Sequence, residues 1–580
     1  MTQKRDISIK IGGEAGQGMK VISTLLGKTF SRRGFWVFTY QDVMSRIRGG
    51  HNFSQIRICS QQVSNISSQL DMVVCLDKKT LDLHKDETQG PVLYDKDFIK
   101  KNPPPGDKYI PIPFQKIAKD TGGDERMANS VASGAVLTLL GMSMDPLYEL
   151  LEEIFKQKGK KVIQGNKKSA RAGAEEVKKV GQKRHFFKLK PENKKKRMLL
   201  TGSEAMALGA LASNVRFYSA YPMSPATAIM EYLASQQESY DLIVEQAEDE
   251  IAAVNMAIGT FFSGARAMVG TSGGGMALMV EGISLAGMTE TPLVIVDAQR
   301  PGPATGFPTR TEQADLFFAA FSGHGEFPRC ILAPSTAEEA FYLTSKALYL
   351  AEKYQSPVFI LGDQYLNDSS WTVEEFDLDK IYPDEQGFLS KKKLKELKPY
   401  QYLRYETNSS GITPRIRPGT PRQVLYADSD EHTEEGHITE SAEIRNQMVN
   451  KRLSKARGMN NELAKPVIYP QQMADIYIIS WGSTLGIVDE AVKSLKNEKA
   501  KIGYIHFSEI YPLRHDVIPQ DIAQNAKLIG VENNASGQFL RLLQLETGIQ
   551  VKNKVLKYDG RPFKPQELAD QIKQESGGSS

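Results

Sequence analysis

Short apolar runs alternate with amphipathic helical stretches along most of this chain. The pattern begins with DISIKIGG, which reads as a strand, followed by the helical MKVISTLLGKTFSRRG. It returns near the other end as the strand ADIYIISWG followed by the helix STLGIVDEAVKSLK. Strands that alternate with helices indicate mostly parallel sheets. No short tandem repeat accompanies the pattern, so it predicts α/β domains rather than a solenoid.

The length divides this α/β pattern into several domains. A chain of 580 residues is too long for one core at about 150 residues per domain. We predict three α/β domains with mostly parallel sheets, at residues 1–185, 198–375 and 465–580. Residues 186–197 are predicted to form a basic linker, and residues 376–464 a charged extension that includes the helix NQMVNKRLSKAR.

The composition is typical of a globular protein, with 40% hydrophobic and 24% charged residues. No run of about 18 uncharged apolar residues occurs, and the N-terminus lacks the apolar core of a signal peptide. We therefore expect no membrane span and a cytoplasmic location. Cys59, Cys75 and Cys330 stand far apart without a CxxC pair. This spacing excludes a disulfide framework and predicts no metal site or iron–sulfur cluster in this chain.

Positive charge is concentrated in residues 156–197, which hold 17 Lys/Arg and 3 Glu, a local balance of +14. Because the whole chain carries +4, the remainder carries −10. Such a stretch could bind nucleic acid or an anionic partner. It contains few aromatic residues, and NKKSARAGAEEVKKV is typical of a solvated helix. We therefore interpret it as a helix followed by a lysine-rich linker and expect no nucleic-acid partner.

A glycine-rich turn, GEAGQG, separates the first predicted strand from the first helix. Gly13, Gly16 and Gly18 would let the backbone approach a phosphate at a helix N-terminus. The turn is not a Walker A loop, because Lys20 stands one place late and no Ser or Thr follows it. A tight turn alone and a phosphate-bearing ligand remain equally good interpretations.

The segment RIRGGHNF, residues 46–53, comes just before another predicted strand. Its two arginines beside paired glycines suit an anionic ligand or a subunit interface. A solvated loop explains the pattern equally well.

The corner YPMSPAT begins at Tyr221 and joins a predicted strand to a predicted helix. Pro222 and Pro225 fix the backbone on either side of Ser224, and a hydroxyl at this position is a natural helix N-cap. Taken alone, the corner predicts a serine-capped helix.

Charged residues follow the next strands in the same region. Glu245, Glu248 and Glu250 open an otherwise apolar helix, where carboxylates suit the helix dipole or, against an apolar wall, proton chemistry. TSGGG provides a second glycine-rich turn between a strand and a helix. Arg300 and Arg310 lie in a loop after a further strand, where a guanidinium can fork onto a carboxylate.

Taken in order, GEAGQG, YPMSPAT, QAEDEIAA, TSGGG, RPGPATGFPTRTEQADL with HGEFPR, and VENNASGQ resemble a known family. The chain is similar to the α-subunit of 2-oxoacid:ferredoxin (acceptor) oxidoreductases, in the form with the γ domain fused to its N-terminus. The resemblance covers nearly the whole chain. It implies that the three domains are a γ domain, a domain like the pyrimidine-binding domain of thiamine enzymes and a transketolase C-terminal-like domain.

The resemblance implies a reaction in which a 2-oxoacid and coenzyme A give an acyl-CoA and CO₂, with electrons passed singly to ferredoxin. Thiamine diphosphate would be shared with a β-subunit that carries Mg²⁺ and a [4Fe–4S] cluster. The family suggests an (αβ)2 heterotetramer and favours 2-oxoglutarate as substrate, while pyruvate and other 2-oxoacids stay open. The direction, carbon fixation or CO₂ release, also stays open.

The resemblance assigns roles to several residues. Ser224 takes the position of a threonine, in the family's usual Y-P-I-T-P corner, that hydrogen-bonds the substrate. Glu248 matches the glutamate that bonds a pyrimidine nitrogen of the cofactor and favours the imino tautomer, which removes the thiazolium proton. Glu245 and Glu250 are the neighbouring alternatives. Arg300 matches the arginine that pairs with the substrate carboxylate, and Arg310 is the competing choice.

Other positions follow from the same resemblance. The corner residues Tyr221 and Pro222 are expected on the cofactor side of the site. The CoA-associated turn would comprise Gly13, Gly16, Gln17 and Gly18. Residues 532–534 in VENNASGQ are expected in packing or an interface rather than in catalysis.

Rival readings make different predictions. A nucleotide-dependent dehydrogenase would use the GEAGQG turn, would need an acidic partner for the ribose and a dinucleotide crevice, and would leave YPMSPAT unexplained. A non-catalytic scaffold subunit would tolerate loss of Ser224, Glu248 and Arg300. Nucleic-acid binding through residues 156–197 would show salt-sensitive retention.

Overall fold

The computed structural model describes residues 5–45, 49–98, 104–179, 187, 189, 195–384, 387–470, 473–496 and 500–577. They form two compact units, one of Met1–Thr201 with Asp368–Phe376 and the other of Gly202–Asn367 with Asp377–Ser580. The functional division expected from the sequence, with its five ranges, stays a prediction. Most of the basic linker at 186–197 lies outside the described residues.

The first stretch of chain alternates strands and helices. Its strands are β1 (Asp6–Gly13), β2 (Trp36–Asp42), β3 (Asn52–Cys59), β4 (Met72–Cys75), β5 (Val92–Tyr94), β6 (Tyr109–Pro111) and β7 (Met198–Thr201). Its helices are α1 (Met19–Ser31), α2 (Lys78–His84), α3 (Phe114–Ile117), α4 (Ala128–Leu139), α5 (Asp145–Ile154) and α6 (Lys160–Lys179).

The middle stretch keeps the same alternation. Its strands are β8 (Phe217–Ala220), β9 (Ile243–Gln246), β10 (Ala267–Thr271), β11 (Leu293–Gln299), β12 (Cys330–Leu332), β13 (Pro357–Asp363) and β14 (Ser370–Val373). Its helices are α7 (Gly202–Ala212), α8 (Thr227–Ala234), α9 (Gln237–Tyr240), α10 (Glu250–Ser263), α11 (Gly273–Met288), α12 (Leu316–Phe321), α13 (Ala337–Tyr354) and α14 (Gln364–Asp368).

The last stretch begins with the charged extension. Its helices are α15 (Lys391–Glu396), α16 (Ala442–Glu462), α17 (Leu485–Ser494), α18 (Gln520–Asn525), α19 (Gln538–Thr547) and α20 (Pro565–Ser576). Its strands are β15 (Val467–Tyr469), β16 (Ile476–Trp481), β17 (Ile502–Phe507), β18 (Glu509–Tyr511), β19 (Lys527–Glu532) and β20 (Asn553–Leu556).

The first unit is built on an eight-stranded sheet in the order β6-β5-β4-β1-β3-β2-β14-β7. The pairs from β6 to β1 are parallel, whereas those from β1 through β3, β2 and β14 to β7 are antiparallel. β14 reaches this sheet from residues 370–373, so two segments far apart in sequence complete one sheet. The segment MLLT forms β7, which pairs with β14.

The second unit contains two sheets, and parallel pairs dominate both. The seven-stranded sheet has the order β18-β12-β13-β11-β10-β8-β9, with only the β12–β18 pair antiparallel among the described strands. The five-stranded sheet has the order β15-β17-β16-β19-β20, with β15 antiparallel to β17. β18 belongs to the last stretch of chain but extends the middle sheet. The predicted α/β class with mostly parallel strands is confirmed.

Helix α6, in the basic stretch, packs against α4 more closely than a solvated helix would. In α6 one stripe of small residues is buried, while the lysines lie outside it. A Cβ on Gly173 would overlap the backbone carbonyl of Val131 in α4, and one on Gly134 would overlap that of Ala170. These glycines let the two helix backbones approach closely. The small-residue stripe, not the charge, therefore determines where α6 packs.

No helix in the described ranges is both long enough and apolar enough to cross a bilayer. The thiols of Cys59, Cys75 and Cys330 are free. Burial raises the pKa of the Cys75 and Cys330 thiols well above the ordinary value.

A buried ion cluster ties the charged extension to the end of α11. Glu290 is fully buried, and its carboxylate accepts a bond from Lys451 at 2.7 Å and pairs with Lys455, both on α16. Arg404 donates to the backbone carbonyl of Glu290 at 2.7 Å. Burial alone would raise the pKa of Glu290, but Lys455, Lys451 and Arg404 hold it at about 2. The extension is therefore held to the second unit by buried charge.

Glu290→Gln should lower the free energy of unfolding by about 3–5 kcal/mol, because it leaves two buried ammonium groups without their counter-charge. Chemical denaturation of the full chain measures the effect. Glu175→Gln is the control, since Glu175 pairs with Arg171 on an exposed face at 3.0 Å and should cost less than about 1 kcal/mol. Equal effects of the two substitutions would contradict this account.

Candidate active site

Four neighbouring parallel strands of the seven-stranded sheet end at one edge. β9 pairs with β8, β8 with β10 and β10 with β11. Because the carboxyl ends of parallel strands meet at the same edge, the segments that leave them lie close together. These segments carry Glu248 after β9, residues 221–227 after β8, TSGGG at the end of β10 and Arg300 after β11. The fold thus gathers the residues predicted to form the site.

The corner with Ser224 turns the chain from β8 into α8. The helix is capped at Ala226 without a side-chain hydrogen bond, so the interpretation of Ser224 as the N-cap is wrong. Residues 224–226 form a turn that places Ser224 before the cap. Within the described part of the chain no hydrogen bond occupies the exposed Ser224 hydroxyl. This hydroxyl is therefore free to bond a ligand, and the exposed Tyr221 and half-buried Pro222 precede it.

Arg300 is bonded directly to this corner. Its Nη1 donates to the backbone carbonyl of Ser224 at 2.7 Å. Burial lowers the pKa of Arg300, while the nearby carboxyl groups of Asp315 and Asp297 act in the opposite direction. A charged guanidinium held next to an available hydroxyl can receive a substrate carboxylate.

The three glutamates around the start of α10 lie in different environments. Glu245 is exposed on β9, and Glu248 is exposed just before Asp249, whose side chain caps the helix through the Ala252 N–H at 2.7 Å. Glu250 is buried, and its Oε1 would lie 2.5 Å from a Cβ on Gly275 of α11. Glu250 thus faces the packed helices, whereas Glu248 is accessible to a ligand at the strand edge.

Three carboxyl groups at this edge were missed in the sequence analysis. Asp297 in β11 is fully buried, and among the described residues neither of its carboxylate oxygens has a hydrogen-bond partner. Burial, together with Asp315, raises the pKa of Asp297 well above its ordinary value. Burial also raises the pKa of Asp315 to about 6 and that of Glu312 to about 7. An aspartate inside the apolar run PLVIVDAQ was the signal available for Asp297.

In the first unit, the GEAGQG turn borders a cleft of about 410 Å³. Gly13 ends β1, Gly16 and Gly18 have φ of 94° and 82°, and α1 begins at Met19. A Cβ on Gly18 would overlap the Asn129 amide, while Gly16 has open space around it. Gln17 Oε1 closes the turn by accepting from the Glu14 N–H at 2.8 Å. The N-terminus of α1 has no side-chain cap and no acidic residue in its first turn, which suits an anion.

The RIRGGHNF segment is described only in part, because residues 46–48 lie outside the described ranges. Its His51 Nε2 lies 2.7 Å from His84 Nε2. Burial and the charge of His84 lower the pKa of His51.

Comparisons with known proteins match both units. Residues 8–176 match the family described as "Pyruvate ferredoxin/flavodoxin oxidoreductase", and residues 208–451 match "Pyruvate flavodoxin/ferredoxin oxidoreductase, thiamine diP-bdg". The 2-oxoacid:ferredoxin oxidoreductase subunit alpha of Sulfolobus sp is 31% identical over 98% of this chain and 96% of its own. This chain belongs to the 2-oxoacid:ferredoxin oxidoreductase α-subunit family.

Two further relatives have names that specify 2-oxoglutarate. A structure of 2-oxoglutarate:ferredoxin oxidoreductase from Magnetococcus marinus, with 2-oxoglutarate, coenzyme A and succinyl-CoA bound, is 31% identical with a TM-score of 0.90. The match covers 99% of this chain and 100% of that chain. The 2-oxoglutarate synthase subunit KorA of Methanothermobacter marburgensis is 30% identical over 64% of this chain and 97% of its own. The chain is thus the α-subunit of a multi-subunit oxidoreductase with a thiamine diphosphate-binding domain.

Within this oxidoreductase subunit, Arg310 lies against the C-terminal stretch. A Cβ on Gly560 would be 3.2 Å from the Arg310 Cβ, and the Thr311 N–H donates to the Gly560 carbonyl at 3.2 Å. Arg300, by contrast, is bonded to the corner with Ser224. The geometry favours Arg300 as the cation beside the Ser224 hydroxyl.

The VENNASGQ motif of the oxidoreductase chain supports its neighbours. The buried Glu532 carboxylate accepts from the backbone N–H of Leu540 at 2.9 Å and of Phe539 at 3.0 Å. Asn534 donates to Glu532 at 2.7 Å and to the Gln313 carbonyl at 3.0 Å. Burial raises the pKa of Glu532, and these bonds act against that rise. The motif therefore holds the loop that follows Arg310.

Gly273→Ala should destabilise the chain by about 1–3 kcal/mol through overpacking, because a Cβ there would lie 2.6 Å from the Asp315 carboxylate. Thermal and chemical unfolding measure the change. Gly274→Ala is the matched control, since the nearest atom to its Cβ is 3.9 Å away. It should be neutral or stabilising by up to about 1 kcal/mol, because alanine favours helices. A Gly273 variant as stable as the Gly274 variant would contradict the close approach.

Proposed function

We propose that this chain, assembled with a β-subunit, converts 2-oxoglutarate, coenzyme A and oxidised ferredoxin reversibly into succinyl-CoA, CO₂ and reduced ferredoxin. One observation carries the proposal. The Ser224 hydroxyl, Glu248 and Arg300 share one open edge in a chain that matches the Magnetococcus marinus enzyme over 99% of its length. The ligands in that structure supply the substrate preference.

Arg300 and Ser224 bind and orient the 2-oxoacid in this proposal. The guanidinium forks onto the carboxylate next to the keto group, while the Ser224 hydroxyl donates to the substrate. Pro222 and Pro225 restrict the backbone around Ser224, which lowers the entropy lost when the substrate binds. The hydrogen bond from Arg300 Nη1 to the Ser224 carbonyl holds the guanidinium close to the residue that carries the hydroxyl.

Glu248 fits the binding of thiamine diphosphate. Its carboxylate is exposed at the strand edge, and within the described residues it forms no hydrogen bond or ion pair. When bound, the cofactor supplies the nucleophilic carbon and the electron sink for loss of CO₂. Glu248 holds a proton at a pyrimidine nitrogen, and Tyr221 and Pro222 line the cofactor side. The diphosphate, Mg²⁺ and a [4Fe–4S] cluster are assigned to the β-subunit.

The overall reaction balances as a two-electron oxidation. The bond between the carboxylate and the keto carbon breaks to release CO₂, and the thiol sulfur of coenzyme A joins the remaining acyl carbon. Two electrons leave singly to two oxidised ferredoxins, and the thiol proton is released.

The glycine turn of the first unit is proposed to hold coenzyme A. Gly16 and Gly18 let the backbone approach a phosphate, and the first-turn amides of α1 face it. Gly13 and Gln17 shape the turn, because a Cβ on Gly13 would lie 2.5 Å from Gln17 Oε1. This assignment makes residues 1–185 the γ domain, residues 198–375 the pyrimidine-binding-like domain and residues 465–580 the transketolase C-terminal-like domain.

A partner subunit completes the proposed site. The relatives are named as subunits, and the three site residues are accessible rather than enclosed. We propose an (αβ)2 assembly in which the β-subunit covers this edge and passes electrons to ferredoxin.

Reduction of a viologen dye or ferredoxin, dependent on CoA and thiamine diphosphate, tests the function. We expect activity with 2-oxoglutarate only when chain and β-subunit are combined. Ser224→Ala should reduce kcat/KM by about tenfold to a hundredfold, since one hydrogen bond to a charged or reacting group is lost, and Ser224→Thr should retain activity. A preference for pyruvate would overturn the assignment of 2-oxoglutarate as the substrate. No turnover of any 2-oxoacid by an intact, cofactor-loaded complex would favour a scaffold.

Arg300→Lys and Arg310→Lys separate the two candidate arginines. We expect the Arg300 variant to raise KM for the 2-oxoacid at least about tenfold, because lysine cannot form the bidentate pair. The Arg310 variant should leave KM within about twofold, as expected for a residue outside the carboxylate pocket. Steady-state kinetics at saturating CoA measures both. The reverse pattern would transfer the role to Arg310.

A further inference from the structure

The segment of residues 311–317, which carries Asp315, is fixed by the C-terminal stretch. Hydrogen bonds between 2.6 and 3.0 Å join its backbone to Asn533, Asn534 and Gln538. Such bonds to both sides of a short loop leave it little freedom. The position of Asp315 is therefore set by the fold rather than by a mobile surface loop.

Asp315 itself is seated between β11 and α11. Its N–H donates to Gln299 Oε1 at 3.0 Å, and Gln299 Nε2 donates to the Gly362 carbonyl at 2.9 Å. The carboxylate lies so close to the first turn of α11 that a Cβ on Gly273 would be 2.6 Å from it. Its Oδ2 is buried and has no hydrogen-bond partner among the described residues.

The charged groups facing Asp315 come from few elements. β11 contributes Asp297, Arg300 follows that strand, and Glu312 stands in the same loop. α10 contributes Glu250, which lies beside the α11 turn. α11 itself presents the uncharged residues 272–275, and α19 presents the neutral amide of Gln538.

These groups make the net charge around Arg300 depend on Asp315. Burial raises the carboxyl pKa of Asp297 well above the ordinary value, and neither of its carboxylate oxygens has a hydrogen-bond partner among the described residues. Burial raises the pKa of Asp315 to about 6, so its carboxyl ionises as the pH rises through that value. Below it, Arg300 presents an uncompensated positive charge. Above it, Asp315 cancels part of that charge and repels an incoming carboxylate.

We propose that Asp315 is a positioning residue whose negative charge competes with the substrate carboxylate for Arg300, so that 2-oxoacid binding takes up a proton at Asp315. The inference rests on the proposed function, because it takes Arg300 as the site of substrate binding. It adds that the VENNASGQ motif of the C-terminal stretch, by fixing residues 311–317, influences substrate affinity.

The test measures kcat and KM of the assembled, cofactor-loaded enzyme for its 2-oxoacid between pH 5.5 and 8. In the wild type, KM should rise with pH by about threefold to thirtyfold as Asp315 ionises. Asp315→Asn should hold KM at its low-pH value throughout, with kcat changed far less. Asp315→Glu should restore the pH dependence. Glu312→Gln removes the neighbouring carboxyl group of the same loop, and its KM should still rise with pH.

Three results would each overturn the inference. The first is a wild-type KM that does not change with pH, and the second is an Asp315→Asn enzyme whose KM still rises with pH as in the wild type. The third is a loss of the pH dependence in Glu312→Gln alone. If Asp315→Asn fails to assemble, calorimetry of the wild type with 2-hydroxyglutarate decides. Binding near pH 6.5 in two buffers of different ionisation enthalpy should show proton uptake, and its absence overturns the inference. Arg300→Lys distinguishes failure of the proposed function from failure of this inference. An unchanged KM in that variant contradicts the role of Arg300 in substrate binding, and so the proposed function as well. A raised KM in that variant, together with a wild-type KM that does not change with pH, contradicts only the inference about Asp315.

Discussion

Parallel pairing of β9, β8, β10 and β11 is the constraint on which the proposed site depends. The segment that follows each strand leaves it at the same edge, so the residues that follow β8, β9, β10 and β11 lie close together there. The bond between Arg300 and the Ser224 carbonyl then fixes two of these segments against each other at 2.7 Å. A shift in register of one strand would move a hydroxyl, a carboxylate or a guanidinium out of reach of the same small molecule.

Buried charge is handled in two ways in the second unit. Glu290 is surrounded by Lys451 and Lys455, so its charge is compensated and its carboxyl pKa is held at about 2. Asp297 and Asp315 form no ion pair within the described chain, and burial raises their carboxyl pKa values although the charge of Arg300 acts in the opposite direction. The first arrangement suits a structural anchor, since the ion cluster is satisfied without a ligand. The second suits a binding site, because groups without protein partners respond to what binds beside them.

Much of the fold could be predicted from alternation alone, and the ordered motifs were sufficient for the family. Local pattern could not show that FSQIRICS pairs antiparallel with both of its neighbours, because period and composition are the same in either direction. Nor could it place β14 in the first sheet, since that pairing joins residues more than 300 positions apart, as in Val37 and Thr372. The prediction that Ser224 caps α8 was wrong for a local reason. Ser224 belongs to a turn of residues 224–226, and Ala226 is the residue that caps the helix.

The site residues also divide into those that local sequence predicts and those that depend on distant parts of the chain. Ser224, Glu248 and Arg300 were predicted from sequence because each stands in a motif with an unusual local composition, and their roles stay predictions. Asp315 carries no such mark, and its environment is created by Gly273, Gln299 and the amides of the C-terminal stretch. That dependence gives a physical reason for the family's motifs to occur together. RTEQADL supplies a carboxyl group, TSGGG leaves room for it at Gly273, and VENNASGQ holds its loop in place. In the proposed site, a motif far from the reacting atoms would in this way influence how tightly the substrate is bound.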